Sequence, residues 1–176
     1  MIQERCVLNK AEGKKILIFG DSHSIALRDF YSSFAKGSSF HAVDLSIKSC
    51  TPAKPYEYTN RPIKCKAGFN TFENHLKNTD VVILTGRWDT SYFEAFDNSM
   101  NSNLGPVIGY HEKLKDLITH ISTQGVKKIV LVGQIPKYKQ NIKKLLLPLV
   151  KDSFEEGLSK ILNVYYLNFD SIFCKQ

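Results

Sequence analysis

No apolar run in the sequence approaches the roughly 20 residues that a membrane-crossing helix needs, so the chain does not span a bilayer by itself. The opening residues, Met1 to Cys6, hold no apolar signal core, which leaves a cytosolic protein or a domain excised from an exported one. Internal repeats, low-complexity tracts and shifts of composition are absent, and one domain is expected over residues 1–176. The four cysteines, Cys6, Cys50, Cys65 and Cys174, make no Cys-x-x-Cys pair, which removes the zinc ribbon and the redox dithiol. No metal and no cofactor are expected. The net charge of +7 lacks the interleaved basic and aromatic stripe of a nucleic-acid site. Lysine pairs such as Lys14-Lys15, Lys127-Lys128 and Lys143-Lys144 read as solvated surface, and no nucleic-acid partner is expected.

What is present is the composition of a globular protein, 43% hydrophobic and 23% charged. Cys50 and Cys65 bracket a segment rich in turn formers and polar groups, Thr51 to Pro62, with three prolines. A disulfide there would staple a stretch too irregular to hold itself and would contribute about 3 kcal/mol on the loop-entropy account. It would also imply an oxidising compartment. The other reading is four reduced, mostly buried thiols.

The chain is organised around Lys14-Lys15-Ile16-Leu17-Ile18-Phe19-Gly20-Asp21-Ser22-His23-Ser24. Consecutive apolar residues predict a strand buried on both faces, and Gly-Asp-Ser-His turns it into a helix expected to begin near Ser24. Ser22 then stands at a strand's carboxyl end, the edge where open α/β sheets bind ligands. It is a candidate nucleophile or an ordinary helix cap. Further strands are expected over Phe40–Ser46, Asp80–Thr85, Lys128–Gly133 and Val164–Leu167. Helical spacing fills Ile25–Lys36, Ala67–Asn78, Ile108–Thr123 and residues 141–162, the last divided at Pro148. Residues 90–105, polar and aromatic without a period, read as a surface excursion. The alternation β-α-β-α-β-α-β-α-β argues for an α/β fold, a three-layer α/β/α sandwich around a central, mostly parallel five-stranded sheet.

Four blocks follow strands or open helices in this order: Gly20-Asp21-Ser22-His23, Gly68, Gly86-x-x-Asp89 and Gly133-Gln134-Ile135-Pro136. Their joint spacing resembles the SGNH (GDSL-type) hydrolases. Asp-Ser-His in the first block, Ser49-Cys50-Thr51-Pro52 with Cys65, and Arg87-Trp88 after a Val-Val-Ile-Leu strand are similar to one branch. That branch is the extracytoplasmic SGNH domain fused behind the membrane-spanning acyltransferase-3 unit of bacterial glycan O-acyltransferases. The resemblance implies a fold of the SGNH, flavodoxin-like kind and a location outside the cytoplasm, periplasmic and tethered to the inner membrane. It implies as partners an acyl donor, a glycan acceptor and a membrane-spanning acyltransferase unit in the same polypeptide. Ser22 would be the catalytic nucleophile and a backbone oxyanion donor, Gly68 a second oxyanion donor, and Asp21 the structural brace of the turn. Arg87, Trp88 and Tyr92 would bind substrate.

Two features depart from the family pattern. Trp88 stands where many members carry an asparagine, so that amide donor is missing. The family's Asp-x-x-His beyond the fifth strand does not occur in the 176 residues, and the expectation is a chain truncated before it. Of His23, His41, His75, His111 and His120, only His111, near the start of the long helix, is a stand-in candidate, and the pattern itself gives it no support. The expected function is serine-dependent acyl transfer or ester hydrolysis on a cell-surface glycan. The other reading is a non-catalytic glycan-binding module that keeps the fold.

Overall fold

The computed structural model describes residues 7–48, 50, 52, 63–86, 106–133, 160–161 and 163–167. In chain order these form β1 (Val7–Lys10), β2 (Lys15–Gly20), α1 (Ser22–Ala26), α2 (Arg28–Lys36), β3 (His41–Asp44) and α3 (Ile63–Leu76). Then come β4 (Val81–Thr85), α4 (Pro106–Thr123), β5 (Lys128–Val132) and β6 (Val164–Leu167). The apolar runs of β2, β4 and β5 become the middle of the sheet because both of their faces are covered.

Side chains alternate along a strand, and the alternation divides the core into two layers. Leu17 and Phe19 of β2, with Val82, Leu84, Ile129 and Leu131, join one cluster under α3 and α4. Ile16 and Ile18, with Ala42, join a second under α2, which supplies Tyr31 and Ala35. Phe19 fixes the first layer: it stacks on Phe72 at 4.3 Å between ring centroids and meets Phe69 edge-on at 5.1 Å. All three rings are fully buried, and truncating any one to alanine is expected to cost about 3–5 kcal/mol.

Among the described residues the sheet has six strands in the order β1-β3-β2-β4-β5-β6, one more than the sequence suggests. The addition is β1, which pairs antiparallel with β3, whereas the other neighbours are parallel. Val-Leu-Asn-Lys carries no apolar run; what holds β1 is its partner strand and Asn9, whose side-chain amide donates to the carbonyls of Ala35 (2.9 Å) and Phe40 (2.7 Å). The helices also differ from expectation at their ends. α3 opens at Ile63 instead of Ala67, and the helix after β2 starts at Ser22 and is divided at Leu27. The helix predicted across residues 141–162 lies almost wholly outside the described residues.

β3 lies on one side of β2 and β4 on the other. The chain therefore reverses its direction of travel at β2, and the carboxyl ends of β2 and β4 flank the crevice where such sheets bind ligands.

Candidate active site

The turn that leaves β2 is built from three adjacent residues. Gly20 brings β2 close to β4: a Cβ there would lie 1.8 Å from the Thr85 carbonyl oxygen and 2.7 Å from the Ser24 Cβ. Asp21, only 1% exposed, is the N-cap of α1. Its carboxylate accepts the His23 backbone N–H at 2.8 Å and the His23 Nδ1–H at 3.1 Å. Ser22 follows as the first helical residue and is exposed to solvent. Its amide is among those a helix leaves without an intrahelical acceptor. The cap is thus Asp21, and the Ser22 hydroxyl is not used to start the helix.

The loop after β3 closes against this turn. Leu45 N–H donates to the Ile18 carbonyl at 2.9 Å and Ile47 N–H to the Gly20 carbonyl at 2.8 Å. Cys50 N–H bonds the Ile47 carbonyl at 3.0 Å, and Cys50 is joined to Cys65 of α3 by a disulfide with Cα atoms 5.4 Å apart. The predicted pairing is the one formed, and both cysteines are buried.

Beneath the turn is a group of polar side chains. Asp44, at the end of β3, accepts the Arg28 Nε–H at 2.6 Å and the Ser46 N–H at 2.8 Å. Ser46 donates its hydroxyl to Ser24 Oγ at 2.7 Å, and the Tyr31 and Thr85 hydroxyls bond at 2.6 Å. Burial pushes the Tyr31 phenol up to about 12, helped by the Asp44 charge and opposed by bonds to Thr85 and Ser24. Tyr31 is therefore a neutral donor and acceptor at any physiological pH. None of these six residues stands out in the sequence. Their shared signal is polarity at strand and helix ends, which also marks ordinary loops.

Gly68 requires a correction. It lies within α3, far enough from Ile63 that its amide belongs to the helix's own i→i−4 ladder and is not free to bond an oxyanion. What the site uses is the missing side chain: a Cβ at Gly68 would stand 1.7 Å from Ile47 Cδ1. Gly133 has a comparable task, since a Cβ there would meet the Tyr166 hydroxyl at 2.7 Å. Arg87, Trp88 and Tyr92, the residues expected to bind substrate, lie outside the described residues, as does Asp89.

His41, His75 and His120 have partners or surroundings away from the turn at Ser22. His41 and His75 line a cleft of about 180 Å³ with Lys15, Asn74, Asn78 and Thr79, at the amino ends of β2 and β3. Burial, with nearby positive charge including Lys15, lowers the His75 pKa. His120 of α4 bonds Glu73 of α3 at 2.7 Å. The side chain of His111 is outside the described set. Among the described residues no group of three or more His, Cys, Asp or Glu side chains could hold a metal ion, and no described helix is long and apolar enough to cross a membrane.

Comparison with known proteins places this geometry. The family model described as the SGNH domain fused to AT3 domains matches residues 1–176. Among solved structures, the periplasmic domain of a lipopolysaccharide acetyltransferase from Salmonella ser. Paratyphi A superposes with a TM-score of 0.64 at 16% identity, covering 99% of this chain and 75% of that one. An acetylxylan esterase from Geobacillus stearothermophilus, Axe2, superposes with a TM-score of 0.59 at 15% identity, covering 95% and 83%. That esterase has been solved as catalytic mutants in which a serine, an aspartate or a histidine is replaced by alanine. No curated protein matches by sequence.

Proposed function

The chain belongs to the family of SGNH domains fused to AT3 domains, and on that footing we propose that it handles an acyl group through Ser22. The Ser22 hydroxyl attacks the carbonyl carbon of a small acyl ester, acetyl being the simplest, and a base takes its proton. The tetrahedral oxyanion is held by the Ser22 amide. Expulsion of the donor alcohol, which takes back a proton, leaves the acyl group as an ester on Ser22. A sugar hydroxyl then attacks that ester, the proton passes through the base to Ser22 Oγ, and the glycan leaves acylated. Attack by water in the same step is ester hydrolysis.

The observation that carries the proposal is the placement of Ser22. It is the exposed first residue of α1, at the carboxyl end of a central strand where the sheet reverses, and the buried Asp21 carboxylate takes over the capping that a serine there would otherwise perform. The base is proposed to be a histidine oriented by an aspartate. The 176 residues contain no Asp-x-x-His, and none of the described side chains is assigned this role. Arg87, Trp88 and Tyr92 are proposed to bind the acceptor glycan, and the acylation to take place in the periplasm beside the AT3 unit. The Cys50–Cys65 bond supports an oxidising compartment.

The test is hydrolysis of p-nitrophenyl acetate, and acetyl transfer to an envelope polysaccharide, by the full-length protein. Ser22→Ala is expected to reduce both to background. An active protein indifferent to the substitution overturns the assignment. An inactive one that still binds the polysaccharide with Ser22→Ala in place favours the accessory glycan-binding reading.

A further inference from the structure

α1 is five residues long, and Ser24 is its only buried residue. A helix seated by packing would bury leucine or isoleucine at such a point, because burying a hydroxyl costs free energy unless it is hydrogen-bonded. Ser24 has no exposed surface, and its bonds are all made inside the protein. Ser46 Oγ donates to it at 2.7 Å from the loop after β3. A second hydroxyl pair, Tyr31 of α2 and Thr85 Oγ1 at the end of β4, bonds at 2.6 Å. The β3 loop is thereby tied to α1, and α2 to β4, at the strand ends that flank Ser22. Ser46 is itself anchored, because its amide donates to the buried Asp44 carboxylate, which also holds Arg28.

Hydrogen bonds fix direction as well as distance. Apolar contact alone lets a single-turn helix rotate and slide, whereas a buried Ser24 bonded to the anchored Ser46 sets the rotation of α1. Ser22 lies two residues before Ser24 on the same helix, so the setting reaches its Oγ and its amide together. Resting on the reading of Ser22 as nucleophile, we propose that Ser24 is a positioning residue: its hydroxyl, held by Ser46, aims the nucleophile and the oxyanion donor at the acyl carbon.

The experiment uses the full polypeptide with its AT3 unit. Ser24→Ala, Ser24→Cys, whose slightly larger thiol forms only weak bonds, and Ser46→Ala are compared with wild type and Ser22→Ala. Rates are taken well below each variant's Tm and divided by the number of sites that react with a serine-directed fluorophosphonate. Loss of position by about 1 Å costs on the order of 100-fold in rate; the expected result is a kcat lower by roughly 10- to 100-fold in all three variants, with KM within about twofold. A role in stability alone would lower Tm and the count of reactive sites and leave kcat per site unchanged, and that outcome overturns the proposal. Should Ser24→Ala not fold, Ser46→Ala removes the bonding partner, leaves Ser24 in place and decides by the same criterion. If Ser22→Ala retains activity, the nucleophile assignment fails and the positioning role with it. If Ser22→Ala is inactive and the Ser24 and Ser46 variants turn over at the wild-type rate per site, only the positioning role fails.

Discussion

Gly20→Ala tests how the turn that carries Ser22 is seated. The new Cβ would stand 1.8 Å from the Thr85 carbonyl oxygen, and ordinary contact begins at 3.4 Å, so the ends of β2 and β4 must part by about 1.6 Å. The obstacle is backbone, and Ser24 Cβ at 2.7 Å blocks movement to the other side. Gly20 pairs with Thr85 in the parallel ladder and its carbonyl accepts the Ile47 amide, so separation costs about 1 kcal/mol for each bond lost. Overpacking adds about 1–3 kcal/mol, and the smaller entropy of an unfolded alanine returns about 0.4–1 kcal/mol. The net expectation is a destabilisation of about 2–4 kcal/mol. Urea unfolding monitored by far-UV circular dichroism measures it, and kcat for p-nitrophenyl acetate in the full polypeptide should fall by about 100-fold, since Ser22 moves with the turn. A variant within about 0.5 kcal/mol of wild type would refute the close approach of the two strands.

Gly68→Ala meets an equally short distance, 1.7 Å, but the obstacle is the Cδ1 of Ile47, the far end of a flexible side chain. Rotation of Ile47 and the roughly 1 kcal/mol gain of alanine over glycine in a helix should keep its stability within about 1 kcal/mol of wild type by the same urea measurement. Reducing Cys50–Cys65, which closes a span of 15 residues, should lower the unfolding free energy by about 3 kcal/mol in urea titrations with and without a phosphine reductant. A change below about 1 kcal/mol would mean that the bond does not restrict the unfolded chain. Tyr31, with a folded pKa of about 12 against an unfolded value of 10.0, favours its neutral form on folding. Its contribution is intact below pH 10 and is lost as pH rises toward 12, so wild type should lose about 1.4 kcal/mol relative to Tyr31→Phe between pH 9 and 11. Parallel pH dependences for the two proteins would contradict the burial of that hydroxyl.

The legible parts of the chain are those where one physical requirement dominates the choice of residue. A strand covered on both faces must be apolar at consecutive positions, so Ile16–Phe19, Val82 to Leu84 and Ile129 to Leu131 announce themselves. β1 could not be seen this way, because an edge strand held by Asn9 and by pairing with β3 needs no apolar run. The start of α1 was misplaced because Asp21, Ser22 and Ser24 are all good caps, and only the tertiary fold buries two of them. Gly68 was recognisable as a glycine that matters, but whether its amide or its missing side chain mattered depended on α3 opening at Ile63. The hydroxyl pairs were invisible for a simpler reason: Ser24 and Ser46 are 22 residues apart, and Tyr31 and Thr85 are 54 apart.

The disulfide has a second consequence that follows from what it is attached to. Cys50 N–H bonds the Ile47 carbonyl, and Ile47 N–H bonds the Gly20 carbonyl, two residues before Ser22. Ile47 also fills the space that Gly68 leaves on α3. From Cys65 to β2 there is one covalent bond and two backbone hydrogen bonds, with the Ile47–Gly68 contact running beside them. The loop is thus clamped between α3 and β2, and α1, with its single buried residue, has little packing of its own to resist a shift of that clamp. Reduction of Cys50–Cys65 is therefore expected to do more than loosen an irregular segment. It releases the brace that meets the Gly20 carbonyl and, from the same loop, the Ser46 hydroxyl bonded to Ser24.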